Sequence, residues 1–427
     1  MRYEEYKDSG IEWLGEVPSH WTVCKVKHKY SFKTGATPSS GKKEFYDGEI
    51  KWANISDING GIIHDTVKHI TDEAVRSCSM TISPKGSLLY SFKLSVGQVA
   101  FCGDDMYTNE AITTFESNTQ NLRYLYYIAP QFIIHNANRN IYNAPLLNQD
   151  LIKNALIVLP PIEEQLAIAS YLDEKCGKIN GAIDVQKKKI DLLNELKQTI
   201  ITNAVTKGLN PDAPMKDSGV EWIGKVPMHW EVMKTSLAFL GIGSGTTPST
   251  CRKEYYTEGD GLYWLQTGDL NDGEITDTSK KITSLAADEC NLKFYPTDSV
   301  VIAMYGATIG KVGLLKISTS TNQACCVLPK SKRCIPAFAF YLFIGAKKQL
   351  LIDAMGGGQP NISQDIIKKL KVSIPPISEQ RIIVDHIADE VSRIDAQISK
   401  ANRRIELLNE LKQSVITEAV TGKIKVC

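Results

Sequence analysis

Lys7-Asp8-Ser9-Gly10-Ile11-Glu12-Trp13-Leu14-Gly15-Glu16-Val17-Pro18-Ser19-His20-Trp21 returns as Lys216-Asp217-Ser218-Gly219-Val220-Glu221-Trp222-Ile223-Gly224-Lys225-Val226-Pro227-Met228-His229-Trp230, at an offset of 209 residues. Further along, Pro160-Pro161-Ile162-Glu163-Glu164-Gln165 returns as Pro375-Pro376-Ile377-Ser378-Glu379-Gln380, and residues 192–198 (LLNELKQ) return unchanged at 407–413, where the offset is 215. A period of about 210 residues far exceeds the roughly 20–50 residues of solenoid repeats. The 427-residue chain is therefore a duplicated module of domain size, each copy one variable segment plus one helix.

The ends of the module match closely, while its interior keeps isolated points. Thr37-Pro38-Ser39 pairs with Thr247-Pro248-Ser249, Trp52 with Trp264, Asp57 with Asp269, Gly97 with Gly310, and Asn109 with Asn322. Gly35, Thr37 and Pro38 sit in a turn-rich stretch where backbone geometry is a sufficient reason for them. The growing offset places insertions in the middle segments, as in exposed loops. A repeated frame around a changed interior suits two recognition units for different targets better than one active site copied twice.

The Pro-Pro motifs open the longest predicted elements, helices over 162–206 and 377–421, which contain no proline. Leu172, Cys176, Ile179, Ile183, Gln186, Ile190, Leu193, Lys197, Ile200 and Ala204 follow steps of four and three. In the second copy Ile387, Val391, Ile394, Ile398, Ala401, Ile405, Leu408, Lys412, Val415 and Ala419 do the same. That is a coiled-coil seam, about 65 Å long at 1.5 Å per residue. Proline suits its entry, and Gly208 and Gly422 its exit. Gln186, Lys197 and Lys412 interrupt the apolar seam. The favoured explanation is a local register shift onto Leu196 and Leu411, and the alternative is polar positions that fix helix alignment. Gly177 and Gly181 weaken the first helix, which close approach of another helix would explain.

Between the helices the pattern is mixed α/β. Residues 87–92 and 299–304 are predicted buried strands leading into glycine-bearing turns. Residues 122–134 and 337–351 are predicted helices, and Asn59-Gly60-Gly61 and Asn271-Asp272-Gly273 are predicted turns between short strands. No run of 18 apolar residues indicates a membrane span, and Met1-Arg2-Tyr3-Glu4-Glu5 lacks the apolar core of a signal peptide. The ten cysteines form no C-x-x-C pair, and the adjacent Cys325 and Cys326 suit neither a zinc knuckle nor a redox motif, so reduced thiols are expected. A net charge of +1 does not by itself point to nucleic acid. Gly306-Ala307-Thr308-Ile309-Gly310-Lys311-Val312 is one residue short of a P-loop, and no Ser or Thr follows its lysine. Asn210-Pro211-Asp212-Ala213 lacks the Pro-aromatic continuation of amino-methylating enzymes. The histidines form no H-x-x-x-H pair, and His20 and His229 read as structural. No catalytic residue and no metal site is expected.

The alternation of variable segment, Leu-Pro-Pro-Ile-Glu-Glu-Gln helix, second variable segment and Ile-Pro-Pro-Ile-Ser-Glu-Gln helix resembles the specificity subunit of Type I restriction-modification systems, over essentially the whole chain. Gly35-Ala36-Thr37-Pro38, residues 306–313 and Gly357-Gly358-Gln359-Pro360-Asn361-Ile362-Ser363 look like motifs of its target recognition domains. The first domain departs from the pattern, with residues 93–99 (KLSVGQV) and 143–148 (NAPLLN) at the last two places.

The resemblance implies an α/β (α+β) fold with two pseudo-symmetric target recognition domains (1–158 and 209–373) and helical spacers (159–208 and 374–427) that pack antiparallel. It implies a non-catalytic cytoplasmic prokaryotic subunit binding a split site on double-stranded DNA. Its partners would be methyltransferase subunits carrying S-adenosylmethionine for adenine methylation, and restriction subunits. Bidentate Arg, Asn and Gln contacts read base edges. The candidate DNA-binding residues are accordingly Lys42, Lys43, Lys93, Arg139, Asn140 and Tyr142 in the first domain. In the second they are Arg252, Lys253, Tyr305, Lys311, Gln359 and Asn361. Each of these residue types also serves as a solvated surface group or turn former. Two rival readings stand beside this one: a self-contained DNA-modifying enzyme, and a coiled-coil scaffold that never meets nucleic acid.

Overall fold

The computed structural model describes residues 2–117, 119–354 and 361–426. They divide into two compact units, Met1–Val185 with Arg404–Cys427, and Gln186–Arg403. The division falls inside both long helices, so each unit draws on both.

In the first unit a five-stranded sheet runs in the order Ser31–Thr34, Ile112–Glu116, Leu88–Ser91, Val99–Cys102, Ile62–Ile63, antiparallel except for the last, parallel pair. The second unit repeats that order with Gly243–Ser244, Cys325–Leu328, Val300–Ala303, Val312–Leu315 and Gly273–Ile275. The central strands are buried on both faces because side chains alternate between two apolar clusters. Leu88 and Tyr90 pack with the helix Leu122–Phe132, while Leu89 joins Ala53, Ile58 and Ile63. Val300 and Ile302 pack with the helix Pro336–Asp353, and Val301 and Ala303 face Leu265, Leu270 and Ile275. Cys325 and Cys326 likewise enter opposite clusters, and burial pushes the Cys326 thiol up to about 12.

The expected turns at 59–61 and 271–273 do form, but they do not join paired strands. The strand Ile50–Ala53 belongs to a separate small sheet, and Ile62–Ile63 pairs with Val99–Cys102 instead. A 3-10 turn, Ile55–Asp57, carries the chain from one sheet to the other.

The long helices span Ile162–Lys207 and Ile377–Val420. In the first unit Leu172, Cys176, Ile179 and Ile183 of the first helix are buried, with Ile405 and Leu408 of the second half-buried. In the second unit Leu193, Ile387 and Ile394 are buried, and Ile190, Val391 and Ile398 are half-buried.

The expected register shift does not occur: Leu196 and Leu411 are 48% and 50% exposed. Lys197 instead bonds Asp395, at 2.8 Å, and Lys412 donates to Asn180 Oδ1 at 3.0 Å. These are matched pairs in the duplication, so the lysines keep the seam and the same antiparallel register recurs in both units. An aliphatic stem can lie along the seam while its ammonium group reaches water or a polar partner. A Cβ at Gly177 or Gly181 would meet nothing within 4 Å, so close helix approach does not account for these glycines.

The matched module ends form one clamp, built twice. Glu164 accepts from the indole of Trp21 at 3.0 Å and from Tyr3 at 3.1 Å, and His20 lies 2.6 Å away. Glu379 accepts from Trp230 at 3.1 Å, with His229 at 2.8 Å. The next residue, Gln165 or Gln380, is buried and accepts from the Asn121 or Ile335 amide at the start of the domain helix. Each long helix is thereby tied to the segment that follows a hairpin of the same unit (Tyr6–Asp8 with Glu16–Pro18, or Met215–Asp217 with Lys225–Pro227) and to that unit's domain helix. The distal helix ends dock beside the same tryptophans. Gly208 (φ 72°) and Gly422 (φ 71°) take the left-handed exit conformation, and a Cβ there would lie 3.1 Å from Trp230 or 2.3 Å from Pro18.

Candidate nucleic-acid interface

The scattered interior matches, apart from Gly97 and Gly310, which lie against Ile134 and Pro130 or Lys347 and Leu351, converge on one loop in each unit. Gly35 and Gly245 are required by close backbone approach. A Cβ at either would fall 1.9 or 1.7 Å from the carbonyl oxygen of Thr108 or Thr321. Trp52 and Trp264 are buried and donate to the carbonyls of Ala36 and Thr246 at 3.1 and 3.2 Å. Thr37 bonds Glu110, and Thr247 bonds Gln323. Asp57 takes the amides of Asn54 and Val67, and Asp269 those of Gln266 and Ser279. Asn109 and Asn322 each accept from the amide two residues on. These residues hold the Thr-Pro-Ser loop on a rigid platform and present its polar and basic neighbours to solvent.

The sequence candidates fall into two groups. Lys43, Lys253 and Asn361 are exposed. Lys42 lies 4.7 Å from the centre of the Phe45 ring. Lys93 faces Glu110 at 3.8 Å. Tyr305 and Lys311 are half-buried at the turn after the strand Val300–Ala303. Gln359 lies outside the described residues.

Three candidates are occupied by local structure. Arg252 bonds Glu254 through Nε at 2.7 Å and Glu289 through Nη1 at 2.5 Å and stacks over Tyr255, so two of its three guanidinium nitrogens are engaged. Its hydrogen bond holds the Glu254 carboxyl below its ordinary value, and bonds from Tyr255 and then Arg252 do the same to Glu289. Asn140 accepts from the amides of Tyr142 and Ala144 and so organises the hairpin tip. Arg139 ties that tip through the Asn143 carbonyl at 3.0 Å. Asn143 stands at φ 60°, a conformation that asparagine tolerates. What the hairpin Asn138–Arg139/Pro145–Leu146 offers to solvent is Tyr142 and the unanticipated Ile141, 83% and 90% exposed.

Sequence reasoning also missed Lys68, Lys280 and Lys281. The signal was legible, since Asp65-Thr66-Val67-Lys68 matches Asp277-Thr278-Ser279-Lys280 at an offset of 212. Lys253, Lys280 and Lys281 line one cleft of about 720 Å³. Among the described residues no group of three or more His, Cys, Asp or Glu could hold a metal ion, and no helix is long and apolar enough to cross a membrane.

The family model of the Type I restriction modification DNA specificity domain matches residues 18–198 and again 229–409. The MjaIX specificity subunit of a Type I restriction enzyme of Methanocaldococcus jannaschii is 24% identical over 100% of this chain and 98% of its own length. The EcoBI specificity subunit of Escherichia coli is 22% identical over 80% of this chain and 75% of its own. A solved chain from work on complex assembly and conformational transition of the type I R-M system superposes with a TM-score of 0.69. It is 16% identical, over 96% of this chain and 99% of that one, and shares the fold.

Proposed function

The chain belongs to the Type I restriction modification DNA specificity domain family, and from that premise we propose how its two units divide the work. It is the DNA sequence-specificity subunit of a Type I restriction-modification complex. It binds a bipartite DNA target and positions the methyltransferase and restriction subunits, without catalysis of its own. The observation that carries this reading is the repeated frame. The sheet order, the Glu–Trp clamp and the pinned loop recur in both units, while the groups around them differ.

Each target recognition domain, 1–158 and 209–373, takes one half-site, and the helical regions 159–208 and 374–427 serve as spacer and assembly surface. Base reading is assigned above all to Tyr142, Lys311 and Asn361, for which local structure shows no competing side-chain bond among the described residues, and, on its residue type alone, to Gln359. Lys42, Lys93 and Tyr305 are further candidates for the same role. S-adenosylmethionine is bound by the methyltransferase partner, and the complex works in the prokaryotic cytoplasm.

The test is methylation mapping. The purified chain alone is expected to transfer no methyl group and cut no DNA, and with its methyltransferase partner to direct adenine methylation to a split sequence. Activity of the chain alone would establish the self-contained enzyme. Absence of any DNA footprint from the assembled complex would establish the scaffold.

A further inference from the structure

Two readers of different sequences share what their targets have in common, and every duplex has the phosphate backbone in common. Contacts to phosphate position a protein on DNA, while contacts to base edges specify the sequence. One basic site is built alike in both units. Lys43 matches Lys253, Lys68 matches Lys280, and His69 matches Lys281.

The supporting bonds match as well. Tyr46 donates to the Pro38 carbonyl at 2.6 Å and Tyr256 to that of Pro248 at 2.7 Å, joining the Thr-Pro-Ser loop to the turn that bears the first lysine. The Thr71 amide bonds the Phe45 carbonyl at 3.0 Å, as the Thr283 amide bonds that of Tyr255. This brings the second lysine's segment alongside. Thr66 and Thr278 donate to the carbonyls of Lys68 and Lys280 at 2.8 and 2.7 Å.

Carboxylates stand nearby. Asp65 accepts from the Thr66 amide and lies 3.0 Å from His69, Asp277 accepts from the Thr278 amide, and Asp277 and Glu258 both line the cleft of the second unit. The four lysines are exposed. Among the described residues none of them is held in an ion pair, unlike Lys33, Lys51 and Lys316.

We propose that Lys43 with Lys68, and Lys253 with Lys280, are two copies of one sequence-blind site that grips the DNA backbone and sets each reader's register. The assignment rests on the DNA-reading function above. Exposed Ser39 and Ser40, and Ser249 and Thr250, supply hydroxyl donors beside each pair. Ion pairing with phosphate releases condensed counterions, so these sites act through salt-dependent affinity and leave the choice of sequence to other side chains.

The test uses the complete complex with its methyltransferase partner and the double variants Lys43→Ala/Lys68→Ala and Lys253→Ala/Lys280→Ala. Binding is followed by fluorescence anisotropy against salt, on a duplex carrying the sequence methylated in the host and on one of shuffled sequence. Each double variant is expected to weaken binding to both duplexes by the same factor, about tenfold to thirtyfold at 0.15 M salt. The log–log salt slope should fall by about 2, near 0.9 for each phosphate no longer neutralised, with the methylated sequence unchanged. A loss confined to the cognate duplex, or a changed methylation site, would show that the lysines read bases and overturn the assignment. Unchanged affinity and slope would overturn it too. If the wild-type complex bound neither duplex, the DNA-reading function itself would fall and this site with it.

Discussion

Cutting the chain after residue 209 removes the segment 404–427, which belongs to the first unit although it lies at the far end of the sequence. In the intact chain Ala419 and Val420 are fully buried in the core of that unit, with Val415, Ile416 and Ile424 packed against it. At about 0.8 kcal/mol per buried methylene and about 2 kcal/mol for a fully buried valine, this docking contributes on the order of 5 kcal/mol. A domain of this size has a net stability of about 5–15 kcal/mol, so the fragment is strongly weakened as a monomer. It nevertheless carries the replacement. Ile201, Ala204 and Val205 stand where Ile416, Ala419 and Val420 stand in the second helix, and they are buried in the second unit. A second copy can therefore lend its helix end to the uncovered Trp21 and Pro18 surface and receive the same in return. The arrangement is a self-complementary twofold dimer. Sedimentation of the 1–209 fragment over a concentration series should show the dimer mass as the concentration rises. With the methyltransferase partner, methylation should move to a palindrome of the first half-site. Ile201→Asp/Val205→Asp in the fragment should abolish pairing. A soluble, well-folded monomer at high concentration would refute the reasoning.

Two further outcomes follow from the packing. Ile394→Asp, which places a carboxylate in a fully desolvated seam, should destabilise the helical pair by about 3–5 kcal/mol, with a smaller loss for half-buried Ile398→Asp. Both should weaken assembly with the methyltransferase, read by thermal melting and pull-down; wild-type assembly by Ile394→Asp would contradict the seam. Gly245→Ala forces a methyl group onto the Thr321 carbonyl and should cost about 1–3 kcal/mol, measured as a lower unfolding temperature. Gly268→Ala, which meets open space, should be tolerated in the same assay.

The duplication, the two long helices and the buried central strands were legible in the amino-acid sequence. Each is carried by a local pattern: literal repetition in LLNELKQ, steps of four and three in the helices, and a short apolar run in the Leu88–Ser91 strand. The tertiary structure decided what depends on groups far apart in the chain. Trp21 meets Glu164 across 143 residues, and Tyr6 donates to the Gly422 carbonyl across 416, so a helix written at the end of the chain completes the unit at its start. Arg252 reads as a base-contacting arginine, and the fold brings Glu289, 37 residues on, to its Nη1. Lys197 reads as a break in the seam until Asp395 takes its charge. In each case the sequence specifies which side chain is present. Whether it is free to bind another molecule depends on the partners that folding brings to it, because a donor already paired inside the fold has little left to offer outside.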